Sequence, residues 1–375
     1  MEDRMNLDEA RQEIGEIDRQ MAELFERRLD CAARIGAWKK AHGLPVRDKA
    51  QEDRVVERNT AFLKDPAKRG LYLGFIRKVM HCAREYEHRV MDGNRVAYSG
   101  VEGAFAQIAA GRIFPGAQLV ACPSFEEAYR AVEEGRCECA VLPIENSRAG
   151  EVGQVMDLMF EGPLSVNGVY DLAVEHCLLG TGDAVIDNVR TVISHPQALS
   201  QCRPFLVSRG LESVEAVNTA VAARMVAEKG DASVAAIASE ETASLYGLKI
   251  LEKRINESRS NTTRFAVFSA EPAPEAAAGR PGRAFLLLFT VRDETGGLAS
   301  AVNVISRRGF NMRVLRSRPV KSLPWHYYFY AEVEGDETSE AGQALLKELR
   351  ETCTTVKLAG RYTAAVNSLQ GGESI

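Results

Sequence analysis

Between residues 7 and 42 the chain has no proline, and its apolar residues recur on a heptad: Leu7, Ala10, Ile14, Ile17, Met21, Leu24, Cys31, Ile35 and Trp38. A run of that length and period folds as one long helix whose seam faces a partner. It excludes a single α/β core for the whole chain. The seam position between Leu24 and Cys31 is Arg28. A guanidinium on an apolar seam needs anionic partners, because burying it alone is costly. The accounts that stay open are a snorkelling arginine or an interhelical ion pair, and a cationic pocket between helices for a small anion. Arg11 and Lys39 flank the same seam toward its two ends.

Leu44-Pro45 breaks this helix, and a second begins near Asp48. Asp48 with Gln51 three residues later fits a capping box. Glu52 lies in the first turn, where a carboxylate suits the helix dipole. After Pro66 a third helix is predicted to about Met91, with the stripe Phe75, Ile76, Val79, Met80, Ala83, Tyr86, Glu87 and Val90. Glu87 is thus a carboxylate on or beside a buried face.

Charge density marks where this helical texture ends. Residues 1–92 hold 19 Lys+Arg and 18 Asp+Glu, against 47 and 52 for all 375 residues. The fall after Asp92-Gly93-Asn94 predicts a domain boundary. From 93 to 270, short β-branched runs (95–99, 138–142, 190–194, 233–238 and 264–269) alternate with helical stretches. That alternation predicts an α/β domain with mostly parallel strands. Residues 271–283, EPAPEAAAGRPGR, read as a linker. From 284 to 362 the predicted order is βαββαβ, a ferredoxin-like α+β sandwich. Residues 363–375 form a polar tail that is expected to fray.

Net charge is −5 and pI about 5.9, which argues against a bulk nucleic-acid binder. No apolar run approaches the ~18 residues of a membrane span. The first residues lack an apolar signal region. The eight cysteines are scattered without a CxxC, so reduced thiols in a cytoplasmic protein are expected. Cys137 and Cys139 form a CxC without a second ligand pair, and no pattern supports His176 and His195 as metal ligands. No metal and no cofactor are expected.

Four motifs fall at strand ends or helix starts of the middle segment: SGVEGAF (99–105), PIENSRAG (143–150), SHPQALSQC (194–202) and SNTTRF (260–265). Loops at the carboxyl ends of parallel strands are where α/β proteins bind ligands. Singly, each has a plain account. Pro143 and Asn146 suit a turn, Ser194 a helix cap, and Thr263 a strand. Glu145 reads equally as a structural acceptor.

Residues 7–90, with Arg11, Arg28, Lys39, the run PVRD (45–48), Glu52 and Glu87, resemble the all-helical chorismate mutase family. The resemblance implies that Arg11 and Arg28 bind the two carboxylates of chorismate, one arginine coming from the partner chain of an intertwined dimer. Lys39 and Glu87 would hydrogen-bond the ether oxygen, and Asp48 and Glu52 would face the hydroxyl side. Gln51 stands where that family often has arginine, and Ala83 where it often has serine. The implied reaction, a pericyclic rearrangement to prephenate, needs no nucleophile; the protein holds a compact chair and stabilises charge on the ether oxygen. If Glu87 must be protonated to donate there, mutase activity falls as pH rises, and a flat profile into mildly alkaline conditions would refute that role.

Residues 95–270 are similar to the prephenate dehydratase family. The matching stretches are GVEGAF, VLPIENSRAG, EHCLLG (175–180), SHPQAL with QC, NTA (218–220), LYGLKILE (245–252) and NTTRF. The resemblance implies a two-lobed fold like a periplasmic binding protein, with the site in the cleft. It implies loss of ring hydroxyl and carbon dioxide from prephenate, giving phenylpyruvate. Thr263 would be the principal catalytic residue, donating to the leaving hydroxyl. Asn146 and Gln201 match polar residues of binding and catalysis. Ser194, Thr219 and Arg264 fit supporting or carboxylate-binding roles.

Residues 284–362 resemble an ACT domain of the phenylalanine-binding type. Gly296-Gly297-Leu298 stands for its GAL-like stretch. Arg316-Ser317-Arg318-Pro319 stands for its ESRP-like stretch, with arginine in place of glutamate. Together the resemblances imply a chain that converts chorismate to phenylpyruvate under phenylalanine control, assembled as a dimer or tetramer. Two alternatives stand beside this reading: a dehydratase with an impaired mutase segment, and a non-catalytic small-molecule binder and sensor.

Overall fold

The computed structural model describes residues 7–42, 49–92, 95–258, 260–272, 283–363 and 368–369, without the side chains of 40, 49–50, 52, 85, 87–92 and 368–369. The chain divides into two compact units, one of residues 1–95 with the turn 135–138, the other of the remainder.

The first unit is helical. Helices α1 (Leu7–Ala41), α2 (Lys49–Thr60) and α3 (Arg69–Asp92) form where the apolar periods place them. Pro66 opens a short 3₁₀ turn before α3, with the Asp65 carboxylate accepting from Ala67 N. From α3, Ile76, Val79, Met80 and Ala83 are buried, joined by Ala32 of α1. Much of the α1 seam is left uncovered by the described residues: Leu7, Ile14, Ile17, Met21 and Leu24 are exposed.

The second unit holds two lobes and a sandwich. The first lobe runs β1 (Arg95–Ser99), α4 (Phe105–Ile113), β2 (Gln118–Cys122), α5 (Phe125–Glu133), β3 (Cys139–Asn146), β4 (Gly150–Glu151), α6 (Gly153–Glu161) and β5 (Ser165–Ala173). The second lobe runs β6 (Cys177–Gly180), β7 (Thr191–Ser194), α7 (Pro196–Gln201), α8 (Arg203–Ser208), β8 (Glu212–Glu215), α9 (Thr219–Lys229), β9 (Val234–Ala238), α10 (Glu240–Tyr246) and β10 (Lys249–Glu252). The chain then returns to the first lobe as β11 (Thr262–Ser269). The second lobe's sheet has the order β10-β6-β9-β7-β8.

The strands are less parallel than the sequence suggests. β1 with β3, and β7 with β8 and β9, are parallel. β11 runs antiparallel to both β3 and β5, and β6 antiparallel to β9 and β10. The cause is the double crossing between lobes. Strands that leave one lobe and re-enter it come in beside the existing sheet in the opposite direction.

The sandwich follows the expected order: β12 (Arg283–Thr290), α11 (Gly297–Arg307), β13 (Asn311–Pro319), β14 (Tyr327–Glu334), α12 (Glu340–Thr352) and β15 (Thr355–Thr363). Its core is Phe285, Leu287, Phe289, Ile305, Val333, Leu345 and Leu349. Sequence does not announce its junction with the first lobe. β15 pairs β5 in parallel through Gly360 and Val166, giving one sheet of order β13-β14-β12-β15-β5-β11-β3-β1-β2. A Cβ at Gly360 would lie 2.1 Å from the Val166 carbonyl oxygen, so only glycine permits this approach. The tail also departs from expectation, because Ser368–Leu369 forms a short strand β16 on β5.

Candidate active sites

Two crossover segments join the lobes, 174–176 and the described residues 253–258 and 260–261, and they lie side by side. Val174 N donates to Asn261 O (2.8 Å) and Ile255 N to His176 O (2.9 Å). Above them is a cavity of about 270 Å³, lined by side chains that include Phe105, Asn146, His176, Gln201, Thr219, Asn261 and Thr263. The loop after β1 closes one side against α10. There Thr242 donates to Gly103 O (2.9 Å), Tyr246 to Glu102 O (3.2 Å), and Arg112 pairs with Glu241. Gly103 has φ +85°, and a Cβ there would sit 3.1–3.3 Å from Leu245, Ala220 and Thr242.

The polar groups of the cavity form one directional chain. Asn146 Oδ1 accepts from the backbone N–H of Arg148 and Ala149, both at 3.0 Å. That fixes the amide orientation, so Nδ2 points inward and donates to Thr263 Oγ1 (2.9 Å) and Asn261 Oδ1 (3.0 Å). Asn261 Nδ2 in turn donates to Gln201 Oε1 (3.0 Å). His176 Nε2 lies 2.9 Å from the same oxygen. An amide oxygen only accepts, so the imidazole carries its proton on Nε2. Burial holds His176 below its ordinary pKa despite the Gln201 bond, keeping the ring neutral. Thr263 Oγ1 receives a hydrogen from Asn146, so its own proton is available to a ligand.

Two helix N-termini open on this cavity. The α4 end, at Ala104 and Phe105, has no side-chain cap, while the α9 end, at Asn218 and Thr219, is capped by Asn218 onto Val221 N (2.7 Å). Such ends bind anions through backbone N–H groups and the helix dipole. No Lys, Arg, Asp or Glu is among the described lining residues.

The helical unit has a cavity of about 370 Å³ with the opposite character. Its lining includes Arg28, Lys39, Arg58 and Arg84, together with Gln51, Asn59 and the apolar Ile35, Ile76, Met80 and Ala83. Arg28 Nη1 donates to Val79 O (3.4 Å).

These two sites agree with what the chain is similar to. The family model for prephenate dehydratase matches residues 96–273, and that for chorismate mutase type II matches 10–88. A bifunctional chorismate mutase/prephenate dehydratase of Neisseria gonorrhoeae is 32% identical over 95% of this chain and 96% of its own. The chain belongs to the bifunctional chorismate mutase/prephenate dehydratase family. An arogenate dehydratase/prephenate dehydratase of Arabidopsis thaliana is 36% identical over 72% of each chain. Among solved structures, GqqA, described as a novel type of quorum quenching acylase, has TM-score 0.68 at 33% identity, covering 73% of this chain and 99% of its own. A prephenate dehydratase from Arthrobacter aurescens in complex with L-Phe has TM-score 0.67 at 24% identity, covering 73% and 91%; that likeness is one of fold.

In this family member the structure brings Asn146, Gln201, Thr219 and Thr263 to one cavity, and Arg28 and Lys39 to the other. It does not bring Arg264 to the cleft. Successive residues of a strand face opposite ways, and Arg264 meets Glu332 (3.0 Å), Asp171 (3.5 Å), Glu145 (3.7 Å) and Tyr362 instead. Ser194 is fully buried and donates to Ile237 O (2.7 Å), which binds β7 to β9. Arg11 is exposed and pairs with Asp8; along one helix it stands roughly 25 Å from Arg28. Asp48 and the Glu52 and Glu87 side chains lie outside the described residues.

Sequence reasoning misses Asn261 and His176 as site residues, although both lie inside stretches that carry the resemblance. It also misses Arg58 and Arg84. Arg58 follows Gln51 by two helical turns, which is a signal that could find it.

In the sandwich, Gly296 has φ +86° before α11, and a Cβ at Gly297 would lie 2.5 Å from Arg292 O. Leu298 packs on the core. Arg316 and Arg318, singled out for an effector site, are turned to the first lobe. Arg316 pairs with Glu145, and Arg318 with Glu151 and Asp157. Burial raises the Asp157 carboxyl, but hydrogen bonds from Lys321, Arg318 and Tyr328 outweigh it and hold the pKa below the ordinary value. Ser317 and Pro319 are exposed on the same strand.

Proposed function

We propose that this chain rearranges chorismate to prephenate in the helical cavity and dehydrates and decarboxylates prephenate to phenylpyruvate in the cleft between the lobes. Both activities are those of its family. The observation that carries the second site is the Asn146–Thr263 contact, in which the amide supplies the hydrogen. The Thr263 hydroxyl is left to donate to the departing ring hydroxyl as the C–O bond breaks. Loss of carbon dioxide sends its electron pair into the ring, and aromatisation drives the step. A nucleophilic role, which acyl transfer would need, is disfavoured because Asn146 cannot take the Thr263 proton. Gln201 and Asn261 hold the chain of amides, and Thr219 lies at the α9 N-terminus. With Arg264 engaged elsewhere, the N-termini of α4 and α9 are the sources of positive potential for the substrate carboxylates.

In the helical cavity, Arg28 and Lys39 hold the chorismate carboxylate and ether oxygen. Asp48, Glu52 and Glu87 take the roles the resemblance implies. Arg11 cannot reach its own chain's cavity along a straight helix, so it serves the cavity of a partner chain. The exposed apolar face of α1 supports such a dimer. The division is mutase 1–92, dehydratase 93–270, linker 271–283, ACT domain 284–362 and tail 363–375, in a cytoplasmic homo-oligomer. The turn at Gly296-Gly297-Leu298 is the phenylalanine contact. Support comes from the βαββαβ order and from the similar fold solved with L-Phe.

The test is incubation of purified protein with chorismate, and separately with prephenate, following prephenate and phenylpyruvate against time. Phenylpyruvate from both substrates, above the uncatalysed rate, is expected. Turnover of prephenate alone would leave the helical unit a degraded mutase; turnover of neither would favour a binding protein.

A further inference from the structure

The strands that carry Asn146 and Thr263 carry a second pair one step away. In the β3–β11 register Thr263 faces Asn146, and the next pair is Arg264 facing Glu145. Alternation sends the first pair into the cavity and the second to the opposite side of the sheet. Just beyond, the register shifts between Arg264 and Phe265, which marks a β-bulge. Bulges leave a residue unpaired, disrupt the ladder locally and, near active sites, re-aim side chains.

On the far side these residues meet the sandwich. Arg316 of β13 donates to Glu145 Oε1, and Arg264 donates to Glu332 of β14 at 3.0 Å. Glu332 is 1% exposed. The side chains of Arg316 and Glu145 are 29% and 22% exposed, so water screens this pair less than a surface bridge. Glu145 is covalently next to Asn146, and Asn146 depends on a 2.9 Å contact to orient the Thr263 hydroxyl. A shift of about 0.6 Å or more would take that contact past the range of a good hydrogen bond.

We propose that Arg316 is a positioning residue for dehydration: by clamping Glu145 it holds the strand register that keeps Asn146 on the Thr263 hydroxyl, and so makes β13 a lever on the reacting end of the cavity. The inference rests on the dehydratase reading of that cavity. Arginine suits the place, since a glutamate at 316 would set like charges against Glu145.

The test uses the full chain carrying Arg316→Gln, Arg316→Lys, Arg316→Glu, Glu145→Gln or the double change Arg316→Gln/Glu145→Gln. Both activities are measured in each variant. For Arg316→Gln, dehydratase kcat should fall about 10- to 100-fold, with KM for prephenate nearly unchanged, as expected of misplacement without lost binding. Mutase turnover should stay at the parental level. Arg316→Lys should recover most of kcat, and Arg316→Glu should fall lowest. The double variant should be no worse than the worse single one, because the effect of Arg316 passes through Glu145, whose other pairing, to Arg264, is already lost in Glu145→Gln. Unchanged kcat in Arg316→Gln, or effects that multiply in the double variant, would overturn the proposal. If Arg316→Gln loses its thermal transition, Arg316→Lys and Glu145→Gln decide by the same kcat-against-KM split. A parent chain that does not turn over prephenate would instead strike the dehydratase reading itself.

Discussion

On the proposed reading the two cavities take the same kind of ligand, a small dicarboxylate, and they would meet it with opposite electrostatics. The helical cavity sets four cations, Arg28, Lys39, Arg58 and Arg84, around apolar walls. The cleft offers neutral amides, hydroxyls, two imidazoles and helix ends. The chemistry explains the contrast. A pericyclic rearrangement keeps both carboxylates, so fixed cations can hold them throughout and compact the substrate. Dehydration with decarboxylation discards one carboxylate as carbon dioxide. A strong ion pair to that group would stabilise the ground state more than the transition state. Partial charges at helix ends and a single aimed hydroxyl suit that reaction better.

The sharpest way to break this comparison is to remove one group from each cavity. Thr263→Ala should lower dehydratase kcat by about 10²–10³-fold, the usual loss for one aimed donor. Mutase activity should be untouched. Arg28→Ala should lower mutase kcat/KM by roughly 30- to 5000-fold, corresponding to about 2–5 kcal/mol for a charged contact that leaves its partner unpaired. Its dehydratase activity on added prephenate should remain. Loss of both activities in either variant would mean that the sites are not separate.

Salt should then separate the cavities more gently. Binding that rests on full charges weakens more as ionic strength rises than binding that rests on the partial charges of helix ends. Between ~0.05 and ~0.5 M salt, KM for chorismate should rise several-fold while KM for prephenate changes little. Arg84→Gln should raise KM for chorismate by about tenfold, the low end for a contact to a charged group, and flatten the salt response. An unaltered salt response in Arg84→Gln would place that guanidinium outside the ligand's reach.

How far this is legible in the sequence differs between the same regions. Helices α1 to α3 follow from period and proline alone, because local pattern determines a helix. Arg28 and Lys39 lie on the helix that pattern predicts. The cleft depends on where crossovers meet, which has no local signature. Asn146 and Thr263 emerge through motifs. His176 and Asn261 lie in matching stretches but are not singled out there, because their shared role arises only when two distant connections lie side by side. Arg264 is misplaced for a simpler reason. Its neighbour Thr263 belongs to the cavity, and strand alternation then excludes Arg264 from it. The ion pairs of Arg316 and Arg318 need the junction at Gly360, a contact with no sequence period to reveal it.

The smallest expected effect concerns His176, the one described ionisable side chain of the cleft whose pKa burial clearly displaces. The fold favours the neutral ring, so the folded pKa lies below the ordinary value of 6.5. The unfolded chain binds its proton first as pH falls. The stability this neutral ring contributes is therefore fully present above about pH 6.5 and is lost on acidification toward the depressed folded value. One proton limits the slope to about 1.4 kcal/mol per pH unit. Protonation would also place a second hydrogen on a ring whose Nδ1 is buried without a partner among the described groups. The second lobe's thermal transition and the dehydratase rate should therefore decline together below pH 6.5. His176→Gln, which can keep an N–H toward Gln201, should flatten that acid limb. Mutase activity, in a unit that lacks this ring, provides the internal reference. An acid limb that persists unchanged in His176→Gln would assign it to another group.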